Sequence, residues 1–318
     1  MLSFFPLQKL LQHPFHLIFL AAVVYLFTFQ ISGSGLVLPS LHDSSHALVF
    51  GLATTYLLLT FIPNKPIPNS VRAKYVLTIC CSAFLLGILI ELIQPLFGRN
   101  RSLLDASYDL AGCTAAGLFY WHKKTKHDRT TPILLLIAWM QVLSCLIIPA
   151  SNLWVVLQRN LAAPMLVSFD APWERNIRSI NDSTTFSIEQ PPTGWKHPSL
   201  VGKFTFGFAT YPGISFPDIY SDWSNYSTLS FAVYSEQNQA ETLHLRIHDT
   251  QHNQKHSDRY NQVITITPGL NLIEVDLNKI KHSPKSRELD LSSIVTIGLF
   301  MTRLKVPVTL YLDDIQLR

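Results

Sequence analysis

The residues able to do chemistry fall into two groups, one in an apolar stretch and one in a polar C-terminal half. In the first group, Glu91 and Gln94 stand three apart and Asp105 and Asp109 stand four apart, so each pair would share one face of a helix. His42, Asp43 and His46 are spaced in the same way, and Arg99 and Arg101 lie between the Glu91/Gln94 and Asp105/Asp109 pairs. Such a set can form ion pairs that only fix packing, or it can do acid–base work or hold a phosphate head group. His42, Asp43 and His46 could also ligate a metal, although they match no recognised ligand spacing.

In the second group, His244, Arg246 and His248 alternate, which puts them on one face of a strand. A sugar needs directional hydrogen bonds and an apolar platform. Arg246, His248, Asp249 and Arg259 offer the bonds, and Tyr220, Trp223, Tyr226 and Tyr260 offer platforms. The competing reading places Trp223 and Tyr226 in a core and Asp222 and Asp258 in ordinary turns. Asp170 and Asp313, near strand ends, are candidates for a structural calcium, and no other cofactor is expected. The polar half shows no Gly-x-Ser-x-Gly, no phosphate loop and no nucleophile–base–acid set.

The elements that position these residues follow from composition. A chain of 318 residues suggests two domains. Its 14% charged content is low against the roughly 25% of a globular domain, and the deficit lies in the first half. A net charge of +4 gives no case for nucleic acid. The four cysteines, Cys80, Cys81, Cys113 and Cys145, all sit in apolar segments and read as buried, inert thiols. The polar half has none, so disulfides do not hold it.

A membrane span needs about 20 mostly apolar residues, and the sequence offers about five: 15–31, 46–62, 75–97, 103–121 and 132–149. The fourth is weakest, because Asp105 and Asp109 would each cost about 2.5–3.5 kcal/mol at a bilayer centre. The first, with Lys9 ahead of it and Gly33-Ser34-Gly35 behind, has some features of a cleaved signal, but its length and the later spans favour a membrane helix. Lys65, Arg72 and Lys74 follow the second span, and Lys123, Lys124, Lys126 and Arg129 follow the fourth. These basic loops predict a cytoplasmic N-terminus and an extracytoplasmic C-terminal half. Arg99 and Arg101 break the charge rule, which predicts carboxylate partners for them. On the fourth span, Gly112, Ala115, Ala116 and Gly117 would let neighbouring backbones approach.

Asp43-Ser-Ser-His46, Glu91-Leu-Ile-Gln94, Gly98-Arg99-Asn-Arg-Ser102-Leu-Leu-Asp105 and Gly112 together resemble the VanZ-like family over roughly residues 15–125. Ser44 stands where that family often has Lys, and Asp109 where it often has Asn; Arg101 could balance the added negative charge. The resemblance implies cell-envelope work and brings no settled biochemical activity with it.

After a tether at 150–165, the pattern shifts to a period of two. About nine short strands are expected, at 166–169, 185–189, 203–208, 228–234, 242–248, 262–266, 272–277, 294–300 and 308–312, with no helix among them. Turn signals such as Gln237-Asn238 and Pro268-Gly269 separate them. The expected fold is thus multi-domain, with an all-α transmembrane bundle over 1–149 and an all-β jelly-roll sandwich over 166–318. The segment Ser221-Asp222-Trp223-Ser-Asn-Tyr226-Ser-Thr-Leu229, the strand His244-Leu-Arg246-Ile-His248-Asp249, Asp258-Arg259-Tyr260-Asn261, Arg287-Glu-Leu-Asp290 and Leu310-Tyr-Leu-Asp313-Asp-Ile315 resemble the jelly-roll carbohydrate-binding modules and the wider galactose-binding-like group. That resemblance implies a saccharide ligand.

The preferred expectation is a non-enzymatic protein of the cytoplasmic membrane, in contact with membrane lipids, that binds a saccharide or a lipid-linked envelope precursor at the outer face. One alternative is an enzyme or transporter acting at Glu91, Asp105, Asp109, His46 and Arg99. Another is a scaffold or sensor for a protein partner. Nucleic acid is not expected.

Overall fold

The computed structural model describes residues 35–97, 101–125, 131–176, 179–180, 183–195 and 199–318. They form two compact units, one of residues 37–152 and one of residues 153–318 together with Gly35 and Leu36. The expected span at 15–31 and Arg99 lie outside the described residues.

The first unit is helical. Helix α1 is Val37–Phe61, and α2 is Asn69–Ile93, which tightens into a 3₁₀ turn at Gln94–Phe97. Helix α3 is Leu103–Lys124, α4 is Thr131–Ser144, and α5 begins at Ile147 and runs to Ala162. Helix α3 is the hub and packs against α1, α2 and α4. Glycine makes this close packing feasible. A Cβ at Gly112 would overlap the carbonyl oxygen of Ala47, and one at Gly117 would come within 2.8 Å of Cys80 Sγ. Small residues thus bring α1 and α2 onto α3.

Several boundaries differ from the sequence expectation. Helix α1 starts well ahead of residue 46, because Pro39 falls in its first turn, where proline is tolerated. His42, Asp43 and His46 therefore lie inside the helix and not at its start. The expected fifth span is broken, and α4 and α5 meet at an angle of 41°. Pro149 supplies the reason: it has no N–H to give the carbonyl of Cys145, four residues earlier, and its ring crowds that group. The expected tether is instead helical as far as Ala162. Val155 and Arg159, one turn apart, are buried in the second unit.

The described residues hold two helices long and apolar enough to cross a membrane, α1 and α2 with its 3₁₀ extension, or three if the bent pair α4–α5 counts as one. This corrects the expectation of about five. Helix α3 is not among them, because it carries Asp105, Asp109 and two terminal lysines.

The second unit is an antiparallel β domain. Its strands are β1 Met165–Val167, β2 Ser179–Ile180, β3 Thr184–Glu189, β4 Val201–Phe206, β5 Gly213–Pro217 and β6 Thr228–Ser235. They continue with β7 Glu241–Asp249, β8 Tyr260–Ile266, β9 Gly269–Asp276, β10 Ile294–Phe300 and β11 Val308–Leu317. One sheet has the order β3-β4-β11-β6-β9, with β1 also on β11, and the other β2-β5-β10-β7-β8. The interleaving of β4-β11-β6-β9 with β5-β10-β7-β8 is that of a jelly roll. Both sheets contribute to one apolar core, in which Leu243, Leu245 and Ile247 of β7 alternate with outward polar residues. Strands β2 and β5 were not expected from the sequence. Strand β5 is a short apolar run after Pro212-Gly213, and periodicity alone does not distinguish such a run from a loop. A short helix α6, Leu277–Lys281, capped by Asp276, also interrupts the all-β pattern.

Candidate functional site

The outer face of the β2-β5-β10-β7-β8 sheet carries a groove of about 670 Å³. Strand pairing lays this face out in two rows, of which all but the β8 members line the groove. One row is Gly213, Phe300, His244 and Val263; the other is Ser215, Gly298, Arg246 and Asn261. In the first row, Phe300 and His244 stack with ring centroids 4.9 Å apart and planes 12° apart. Tyr211 meets Phe300 edge-on at 6.1 Å. In the second row, Gly298 has no side chain, so the Arg246 side chain lies across the sheet there.

The groove is cationic. Its lining residues include His244, Arg246, His256 and Arg259 and no carboxylate. Arg246 Nε is buried without a hydrogen-bond partner, while Arg259 Nε donates to Asn261 Oδ1 at 3.0 Å. Burial lowers the pKa of both guanidinium groups, and for Arg259 the charge of Arg246 adds to the effect. His248 lies on the same side of β7 as Arg246. Burial, then His252 at a ring distance of 4.6 Å, pushes its pKa down to about 4, so it is neutral at pH 7.

The structure separates the other sugar-site candidates from this groove. Trp223 is fully buried in the core and donates Nε1–H to the carbonyl of Tyr220 at 2.7 Å. Tyr226 packs on the same core. Tyr260 is buried and donates its hydroxyl to Gln262 at 2.7 Å. Asp249 is engaged in a network with Arg287, which donates to Asp249 at 2.5 and 2.7 Å and to Asp258 at 2.7 and 3.2 Å. Burial alone would raise the Asp249 pKa, but the hydrogen bonds from Arg287 and from the Asp290 N–H outweigh it and lower it. Hydrogen bonding by Arg287, then by the Asn253 N–H, takes Asp258 down to about 2. The network ties the 250–258 loop to the 287–290 segment, and Arg259 enters β8 directly from that loop. Tyr211, His256, Gly298 and Phe300 were not singled out in the sequence. Their only signal was the alternation of Gly298 and Phe300 along β10.

The polar residues of the helical unit do converge. His46 Nδ1 lies 3.0 Å from Asp109 Oδ1, and Nε2 lies 3.8 Å from Asp105 Oδ2. Glu91 Oε2 accepts the Ser102 N–H at 2.9 Å, and Ser102 Oγ accepts the Asp105 N–H at 3.0 Å as the cap of α3. Gln94 is fully buried beside this group in sequence. Arg101 is exposed and forms no ion pair among the described residues, so the partner of Asp109 is His46 rather than Arg101.

Among the described residues, one trio of His, Cys, Asp or Glu is close enough to hold an ion: His46, Glu91 and Asp105. His42 and Asp43, which the sequence offered only as possible ligands beside His46, are not in it; His42 Nδ1 lies 3.7 Å from Asp43 Oδ1. Asp170 and Asp313 do not form such a trio either. Asp170 accepts the Leu200 N–H at 2.8 Å, and Asp313 accepts the Ser199 hydroxyl at 2.7 Å. Burial pushes the Asp313 pKa up to about 7. Cys80, Cys81, Cys113 and Cys145 are free thiols; Cys113 and Cys145 are buried as expected, whereas Cys80 is half-buried and Cys81 is exposed, because an apolar helix buries only the side that meets its neighbours.

No protein family and no curated protein matches the sequence. Solved structures similar to the β domain include an exo-β-agarase, at 17% identity and a TM-score of 0.39 over 48% of this chain and 25% of that one. A family 11 carbohydrate-binding module from Clostridium thermocellum, in complex with a β-1,3-1,4-mixed-linked tetrasaccharide, is similar at 20% identity and a TM-score of 0.34, over 44% of this chain and 86% of that one. A carbohydrate-binding module of the CBM28 kind, specific for non-crystalline cellulose, is similar at 14% identity and 0.36, over 48% and 92%. The matched region spans about a quarter of the agarase's own length.

Proposed function

We propose that this chain is a multi-pass protein of the cytoplasmic membrane whose jelly-roll domain lies on the outer side and binds an acidic saccharide, without catalysis, in the groove over β5, β10, β7 and β8. The observation that carries this reading is the groove floor. A stacked Phe300–His244 pair offers an apolar platform, and Arg246 and Arg259 stand beside it with no lining carboxylate to neutralise them. An arginine left with a buried, unpartnered N–H favours a ligand that brings acceptor oxygens. A saccharide bearing carboxylate, sulfate or phosphate groups supplies both the ring faces and the charge.

The membrane reading rests on α1 and α2 and on the loops. Leu48, Leu52, Leu77, Leu85 and Leu89 are exposed on these helices, an apolar surface that suits lipid and not water. Helix α3 is too polar to cross alone; in this reading it crosses packed against α1 and α2, whose His46 and Gly87 lie against its aspartates. The basic residues after α1 and after α3 then face the cytoplasm.

The test uses the full chain in detergent micelles, passed over immobilised polyuronate or sulfated galactan and over a neutral glucan. Retention on the acidic polymers, weakened by added salt, is expected. Equal retention on the neutral glucan, or none on any polymer by folded protein, refutes the reading. Reporter fusions after residues 65, 124 and 318 check the topology. The first two should report cytoplasm and the last the outer side.

A further inference from the structure

We infer that His46, Glu91 and Asp105 form a binding site for a divalent transition-metal ion, zinc being the best match to the donors. This site lies in the helical unit and is independent of the saccharide groove.

The three residues come from three helices, α1, α2 and α3, so only the packing of the bundle brings them together. A potential ligand atom from each lies within 4.8 Å of those from the other two. Their residues are 1%, 6% and 3% exposed. Each has a buried atom with no hydrogen-bond partner: His46 Nε2, Glu91 Oε1 and Asp105 Oδ1. Packing ion pairs alone would not leave an unpartnered buried atom on each of three residues that meet, since buried polar groups are paired as a rule. An ion held by one atom from each residue offsets the two carboxylate charges.

Surrounding groups hold the ligands in the required orientation. Asp109 binds His46 Nδ1, which leaves Nε2 directed at the carboxylate side; a carboxylate behind a metal-binding histidine is a common supporting arrangement. The Ser102 N–H holds one Glu91 oxygen and leaves the other for the ion. Gly87 keeps room for Asp109, because a Cβ there would lie 2.5 Å from Asp109 Oδ2. One imidazole nitrogen with two carboxylates suits zinc or manganese better than calcium or magnesium, which take oxygen ligands only. Three protein ligands leave a coordination position open.

The test uses the full chain purified in detergent, stripped with EDTA, equilibrated with zinc chloride and desalted before elemental analysis. Roughly one zinc per chain is expected. Glu91→Gln and Asp105→Asn should each weaken zinc binding at least tenfold, and Asp109→Asn about 10–100-fold through the histidine. Asp43→Asn should bind like the wild type. Folded wild-type protein that retains no zinc, or Glu91→Gln and Asp105→Asn variants that retain as much as the wild type, overturns the proposal. Should those variants fail to fold, cobalt decides on the wild type alone. A visible d–d spectrum of a low-symmetry site supports the proposal, and the spectrum of aqueous cobalt refutes it.

Discussion

Gly298 stands directly opposite Arg246 in the β10–β7 ladder, and a Cβ at Gly298 would lie 3.4 Å from Arg246 Nε. The absent side chain gives the guanidinium its place on the groove floor. Gly298→Val should lift Arg246 out of position and weaken retention on acidic polysaccharide at least tenfold, a loss of about 1.4 kcal/mol or more. Near-wild-type retention by the folded variant would separate Arg246 from binding. Affinity electrophoresis reads the difference.

Arg246 and Arg259 should differ in salt response from Tyr211, which meets Phe300 edge-on. Arg246→Ala or Arg259→Ala should weaken retention and flatten its dependence on sodium chloride, because an exchanged charge is lost. Tyr211→Ala should weaken retention with the salt slope unchanged. Parallel titrations of the three variants against salt check this.

Arg287→Ala removes the guanidinium shared by Asp249 and Asp258. Stability should fall, read as a lower midpoint in chemical unfolding of the β domain within the full chain. The same pair sets the acid limit. Asp258 and Asp249 have folded pKa values below their unfolded ones, Asp258 at about 2 against 3.8. Their stabilisation is fully present above pH 4 and is lost as pH falls toward 2. Arg287→Ala should reduce that acid-induced loss.

Asp313 works in the opposite sense. Burial raises its folded pKa to about 7 from 3.8, so the folded state holds a proton that the unfolded state has lost. Its effect is a fall in stability as pH rises from about 4 through 7. Asp313→Asn keeps an oxygen for the Ser199 hydroxyl and removes the charge. Its melting temperature should exceed that of the wild type at pH 8 and match it near pH 4.

In the helical unit, Gly112→Ala should cost about 1–3 kcal/mol or more, because the added methyl meets the Ala47 carbonyl. Gly51→Ala, with 3.4 Å to the Gly112 carbonyl oxygen, should cost much less. Thermal unfolding in detergent ranks the two.

Much of the architecture was legible in the sequence because it depends on local periodicity. Alternation along Leu243–His248 identified both a strand and its outward face, and the structure places His244, Arg246 and His248 outward. The helical runs were legible from the length of their apolar stretches, but their ends were not. Pro39 sits inside α1 and Pro149 breaks α4 from α5, and the effect of a proline depends on where the helix has already begun. The tether expected at 150–165 is mostly helix, because Val155 and Arg159 bury one side of it.

The sequence by itself determined the division into an apolar helical half and a β-rich half, and it named most of the charged residues involved. Residue type and spacing carry that information, since hydropathy and side-chain period are local properties. Tertiary structure alone decided what each named residue does. Trp223 and Asp249 are drawn into the core and into an ion network, while Gly298 and Phe300, unremarkable in the sequence, form the groove floor. His46, Glu91 and Asp105 become neighbours because Gly112 and Gly117 allow α1 and α2 to close on α3. Backbone approach and strand register set these meetings between distant residues, and neither can be read from the spacing along one chain.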